Sequence, residues 1–148
     1  MRDKGIQEGL DVAEKLFHQF GYDSVSINDL CERLKVPPTS IYSAYGSKFA
    51  LYKSTLESSA QEFIETLEME LHSQHSVAEI FRTALEFSAQ YFTKDEERPG
   101  SYFLDVNIGA KDQKLLDLVS ISTKKLADSL SIKLNKKSRE NIKIVLQL

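Results

Sequence analysis

Tryptophan is absent from this sequence and cysteine occurs once, at Cys31. A single thiol excludes an intramolecular disulfide, and the first residues carry no apolar h-region of a signal peptide, so the expected location is the cytoplasm. Apolar runs are short. None approaches the roughly 20 residues that cross a bilayer, so no membrane partner is expected. Three prolines and six glycines in 148 residues leave no Pro/Gly-rich tract and no low-complexity segment. No segment repeats at a fixed period. Enzyme motifs are missing as well: there is no Gly-rich phosphate loop, no G-x-S-x-G and no H-E-x-x-H, and only His18, His72 and His75 are on hand for a triad. The expectation is a protein that is not an enzyme and has no cofactor. His72-x-x-His75 lacks a third ligand nearby and reads as two solvated histidines, and Asp95-Glu96-Glu97 reads as a solvated loop, so no metal is expected.

With 41% hydrophobic residues, a chain of this length buries one core and forms one compact body. The net charge of -3 runs against nucleic-acid binding, but the charge is unevenly placed. From Arg33 to Leu56 the charged residues are Arg33, Lys35, Lys48 and Lys53, with no acid between them. From Glu57 to Asp105 eleven acids face three bases, and from Lys111 onward lysines dominate. A local cationic patch in an acidic protein can serve one docking face while the rest repels phosphate.

Apolar residues recur at helical spacing almost throughout, so the expected fold class is all-α. Ile6, Leu10, Ala13, Leu16, Phe17 and Phe20 make one face of a first helix that Gly21 stops. Ser26-Ile27-Asn28-Asp29 is a capping box opening a short second helix with Ile27, Leu30, Cys31 and Leu34 inward. Lys35-Val36-Pro37 breaks it. Pro38 suits the first position of a third helix, which runs to about Tyr45 with Ile41 and Tyr45 inward and Gly46 closing it. Ser47 caps a long fourth helix to about Leu71, with Leu56, Ala60, Phe63, Leu67 and Leu71 as its stripe. A fifth helix follows Ser76, a short sixth spans Tyr102 to Ile108, a seventh follows Lys111, and an eighth starts at Ser138-Arg139-Glu140. The apolar terminus at Ile142, Val145, Leu146 and Leu148 leads to the expectation that the natural chain continues by about 40 residues at helical rise.

The second and third helices with the tight turn between them have the layout of a helix-turn-helix, whose second helix enters the DNA major groove by its exposed N-terminal side chains. Those exposed positions are Pro38, Thr39, Ser40 and Ser43. The stretch AEKLFHQFGYDSVSINDLCERLKVPPTSIYSAYGSKFALYK, Ala13 to Lys53, closely resembles the DNA-binding domain of the TetR family of repressors. It does so at Ala13, Leu16, Phe17, Gly21-Tyr22, Ser26, Leu30, Val36, Ile41-Tyr42, Tyr45, Ser47-Lys48 and Leu51, without a gap. The resemblance implies that Ser26, Tyr42 and Lys48 contact phosphates and that Thr39, Ser40 and Ser43 face bases. The residues alone leave the bland readings open: Tyr42 as a half-buried aromatic, Lys48 as a solvated lysine, the others as a polar helix face. Lys35 where the family favours Gly, Pro37 for a Ser cap, Ala44 for a polar residue and Phe49 for an acid imply altered specificity or affinity.

The implied organisation is a DNA-binding domain over residues 1–46 and a helical effector-binding and dimerisation domain over 47–148. Partners would be a double-stranded DNA operator, a small-molecule effector and a second copy of the chain. Phe63, Leu67, Phe81, Leu85, Ser88, Tyr91, Tyr102, Phe103 and Val106 are candidates for an effector pocket, or for plain core. The expected function is a transcriptional regulator, a repressor released from a pseudo-palindromic operator by its effector. The alternative is a helical interaction module of the same fold that no longer binds DNA.

Overall fold

The computed structural model describes residues 2–72, 76–94, 102 and 113–145, and among these every regular element is a helix. In chain order they are α1 (Arg2–Phe20), α2 (Ile27–Leu34), α3 (Pro38–Tyr45), α4 (Lys48–Glu70), α5 (Val77–Thr93) and α6 (Gln113–Val145). The fold is all-α, a three-helix head continued by a helical body.

Helix ends fall where the local chemistry puts them. Gly21 takes φ 80 after α1, a conformation that costs an L side chain but not glycine. Ser47 and Ser76 accept hydrogen bonds from the backbone N–H of Ala50 at 3.0 Å and of Glu79 at 3.2 Å, satisfying one orphan donor in each first turn. Glu79 returns the bond to the N–H of Ser76 at 2.9 Å, a second capping box that opens α5.

The core is organised on α4. Leu51, Tyr52, Thr55, Leu56, Ser59, Ala60, Phe63 and Leu67 are all buried on it, and α1, α3, α5 and α6 pack against it. Toward the head, α4 meets Ala13 and Phe17 of α1, with Tyr52 edge-on to Phe17 at 5.1 Å. Toward the body, Phe63 collects Tyr91 at 4.9 Å, Phe92 at 5.1 Å and Phe87 at 5.4 Å, so the space between α4 and α5 is filled by rings. On the other flank, Ser129 of α6 donates to the Glu68 carboxylate at 2.6 Å and Lys133 to the Glu68 carbonyl at 2.9 Å.

The α1 face is only partly covered, and two expectations need correction. Ile6 and Phe20 lie on the apolar face of α1 yet are 37% and 53% exposed, because they stand at its two ends, beyond the reach of the packed stripe Ala13–Phe17. Phe81 and Leu85 of α5 are 55% and 71% exposed, so among the described residues they project from the outer face of α5 rather than into the body. No helix begins at Ser138: α6 is continuous from Gln113 to Val145. Ser138 is a cap only if the chain before it leaves helical geometry, and residues 113–145 contain neither Gly nor Pro to make it do so. The sixth helix expected from Tyr102 to Ile108 lies outside the described residues except for Tyr102, and so does the loop expected at Asp95-Glu96-Glu97.

Tyr102 is 6% exposed and ties the body to the head. Its hydroxyl shares a 2.7 Å hydrogen bond with Thr55 Oγ1, and its ring lies 6.0 Å from Tyr52 and 5.5 Å from His18. Burial raises the hydroxyls of Tyr102 and Tyr52 above the usual phenol range, and burial with Glu62 and Glu14 nearby pushes Tyr91 up to about 12. The folded state therefore favours neutral phenols that the unfolded chain ionises near pH ~10. Stability is complete below about pH 10 and is lost as pH climbs through the folded values. Denaturation by urea from about pH 8 to about pH 11 should show that loss, and Tyr91→Phe should make it shallower. An unchanged pH slope in Tyr91→Phe would remove Tyr91 from this explanation.

Candidate nucleic-acid interface

The turn between α2 and α3 begins at a residue in an unfavourable conformation. Lys35 adopts φ 56 and ψ 41, the left-handed region, and its N–H bonds to the Cys31 carbonyl. For a residue with a Cβ this conformation costs about 1 kcal/mol. Pro37 follows in extended geometry, φ -71 and ψ 156, and Pro38 starts α3 where a missing N–H is harmless. The chain thus turns back so that α3 packs against α2.

Once placed, α3 divides cleanly by face. Ile41 is 2% exposed and anchors it in the head core. Pro38, Thr39, Ser40, Ser43 and Ala44 are exposed, and Tyr42 is 50% exposed. Thr39, Ser40, Ser43 and Ala44 share with Ile6 the wall of an open groove of about 630 Å³ between α3 and the start of α1. Thr39, Ser40 and Ser43 present three hydroxyls, Thr39 and Ala44 add methyl groups, and none of these side chains carries charge.

One long-range contact fixes the rotation of α3. The Tyr45 hydroxyl donates to the Ile6 carbonyl at 2.9 Å, reaching over α1 at Gly9. A Cβ built on Gly9 would collide with the Tyr45 hydroxyl and stand 3.2 Å from its ring. Gly9 is therefore the gap through which Tyr45 reaches the α1 backbone. Neither the gap nor the bond was apparent in the sequence, where Gly9 is one of two glycines in α1 and nothing marks it out from Gly5.

The helices on either side of α3 in the chain both open on serine caps, Ser26 and Ser47. Ser26 caps α2: its Oγ accepts from the Asp29 N–H at 3.2 Å, and the Asp29 carboxylate accepts from the Ser26 N–H at 2.7 Å. Those bonds, with Lys48 nearby, hold the Asp29 carboxyl below its ordinary range. At the start of α4, the Lys48 ammonium lies 4.2 Å from the centroid of the Tyr22 ring. Partial burial lowers its pKa, opposed by Asp23 and Asp29. Ser26, Tyr42, Lys48 and the exposed face of α3 thus all lie on the head, and the starts of α2 and α4 are near enough for Asp29 and Lys48 to interact.

The candidate effector residues are less coherent. Phe63, Leu67 and Tyr102 are buried core, while Ser88 and Tyr91 are partly buried, with the Ser88 hydroxyl donating to its own helix at the Ala84 carbonyl, 2.7 Å away. Phe81 and Leu85 project outward. Phe103 and Val106 lie outside the described residues, as does His75.

Comparison with known proteins bears on the head sequence and on the fold. Residues 10–55 match the family described as bacterial regulatory proteins, tetR family. The HTH-type transcriptional repressor BdcR of Escherichia coli (strain K12) is 38% identical over 50 residues, which are 34% of this chain and 25% of BdcR. The match therefore spans a quarter of that relative's length. The crystal structure of PfmR, a TetR family transcriptional regulator from Thermus thermophilus, superposes with a TM-score of 0.64 at 20% identity, over 96% of this chain and 73% of PfmR. That likeness establishes the fold. The class is a helix-turn-helix protein with a helical body, whose residues 10–55 are similar to the tetR family of bacterial regulatory proteins.

The Gly9–Tyr45 contact gives a clear sign test. Glycine inside a helix costs about 1 kcal/mol against alanine, so Gly9→Ala should stabilise the head once the Tyr45 ring is removed. In the Tyr45→Ala background we expect Gly9→Ala to raise stability by about that amount, and in the parent to lower it. Urea denaturation of the four proteins decides, and the same sign in both backgrounds would contradict the contact.

Proposed function

We propose that this chain is a DNA-binding transcriptional regulator, a repressor, that inserts α3 into the major groove of an operator duplex. The observation that carries the reading is the exposed, uncharged face of α3, in a stretch from Arg33 to Leu56 free of acids. Pro38, Thr39, Ser40 and Ser43 would meet base edges; Ser26, Tyr42 and Lys48 would meet phosphates. The short hydroxyl side chains offer little direct hydrogen-bond readout, so methyl contacts and duplex shape would share the specificity. Repression is supported by the name of BdcR, a transcriptional repressor with a similar head.

In this reading residues 1–46 are the DNA-binding domain and 47–148 the effector-binding and dimerisation domain. A homodimer would place two copies of α3 in successive major grooves, roughly 34 Å apart on a pseudo-palindrome. A small-molecule effector in the body would shift α4, on which both parts pack, and change that spacing. Such coupling needs about 1–3 kcal/mol of differential affinity. The reading invokes no cofactor and no membrane, and no described helix is long and apolar enough to cross one.

Salt-dependent gel retardation with the protein's own promoter tests it. Lys48→Ala should weaken all sequences alike and reduce the salt slope by about one unit. Thr39→Ala and Ser43→Ala should instead change which base pairs matter, at about 1–3 kcal/mol per lost contact. An unaltered salt slope in Lys48→Ala, or an identical selected consensus for both α3 variants, would count against this docking. Absence of salt-dependent binding in the parent protein would favour an interaction module that does not bind DNA.

A further inference from the structure

The Lys48 ammonium is not simply dangling at the start of α4. It rests over the Tyr22 ring at 4.2 Å, within the distance at which a cation and an aromatic face attract. Tyr22 follows Gly21 in the loop after α1 and belongs to a ring cluster that limits its freedom: Tyr52 at 4.9 Å, Phe17 at 6.0 Å and Phe49 at 6.5 Å, edge-on. Its ring is partly buried, with one side given to the core and one to Lys48. A lysine stem has four rotatable carbons, and holding its head in one place ordinarily costs side-chain entropy at the moment of binding. Here the folded head has already limited that freedom.

We propose that Tyr22 is a positioning residue for DNA binding: its ring holds the Lys48 ammonium beside the α2 N-terminus, where a backbone phosphate of the duplex would bridge Lys48 and Ser26. This rests on the DNA-binding reading above and adds a residue that touches neither base nor phosphate. The geometry favours it in two ways. The acids near Lys48, Asp23 and Asp29, oppose the lowering of its pKa by burial and so favour the charged form. The Asp29 carboxylate accepts the Ser26 N–H at 2.7 Å while the Ser26 hydroxyl accepts the Asp29 N–H at 3.2 Å, so this carboxylate already has a partner at the α2 N-terminus. The same ring stack passes through Tyr52 to Tyr102, 6.0 Å further on, so Lys48 is anchored to the junction with the body.

A double-mutant cycle on the full chain tests the proposal, with affinity for a duplex of the protein's own promoter measured against salt for Tyr22→Leu, Tyr22→Phe, Lys48→Ala and Tyr22→Leu/Lys48→Ala. Cation–ring contacts at partly exposed sites correspond to roughly a two- to fivefold change in affinity. Tyr22→Leu should weaken binding by that factor when Lys48 is present and leave it unchanged when Lys48 is alanine, and Tyr22→Phe should bind like the parent. To separate this from any loosening of the ring cluster by leucine, a second measurement needs no DNA. The Lys48 ε-methylene resonances should lie upfield in the parent and in Tyr22→Phe, and return to ordinary lysine positions in Tyr22→Leu. An equal loss with and without Lys48, a loss in Tyr22→Phe as large as in Tyr22→Leu, or unshifted Lys48 resonances in the parent would overturn the role of Tyr22 and leave the DNA reading standing. A parent protein without salt-dependent DNA affinity would overturn both.

Discussion

One side of α4 is buried from Leu51 to Leu67, and both halves of the molecule are referred to that single surface. The head packs on its first turns through Phe17, Ile41 and Tyr52, and the body on its later turns through the rings around Phe63. Burying a Leu or Phe side chain contributes about 1.5–3 kcal/mol, so this stripe is the main stabilising term available to either half. The polar members are satisfied where they lie: the Thr55 hydroxyl meets the Tyr52 carbonyl at 2.7 Å and Tyr102 at 2.7 Å. A rotation of α4 would move the surface on which both halves pack.

The outward surface follows from that anchoring. Ile41 holds α3 to the head core, the Tyr45–Ile6 bond over Gly9 sets its rotation, and the strained turn at Lys35 sets its direction. What remains exposed is the set of short residues that a major groove can accept. Backbone strain in a turn persists only when surrounding structure over-determines it, and here the flanking caps at Ser26 and Ser47 and the buried Ile41 supply that constraint. A Gly at position 35 would relieve the strain, so the lysine adds a positive charge between α2 and α3 at the cost of about 1 kcal/mol.

Elements governed by local chemistry were legible in the sequence. Ser26, Ser47 and Ser76 caps, the Gly21 and Gly46 stops and Pro38 at the start of α3 act over three or four residues, and each is where the pattern put it. Long-range features were not. Tyr45 reaches a carbonyl 39 residues away, and the Tyr22–Lys48 contact joins a loop to a helix start, so neither leaves a periodic trace. Helical spacing also overreached on α5, where Phe81 and Leu85 share an apolar periodicity with buried residues yet lie outside, because periodicity gives a face and not what covers it. The expected start at Ser138 failed for the opposite reason: a cap residue without a break before it is simply one more helical position.

The central claim is that the outer face of α3 is the surface that meets the duplex. It is tested most directly by a photoreactive group on Ser43→Cys, with Cys31→Ser to leave one thiol and the same group on Lys125→Cys of α6 as the control. On binding promoter DNA, the group at position 43 should crosslink to bases within the protected site, and the group at 125 should not. A duplex bound with position 43 silent and position 125 crosslinked would place the nucleic acid on another face and contradict the account.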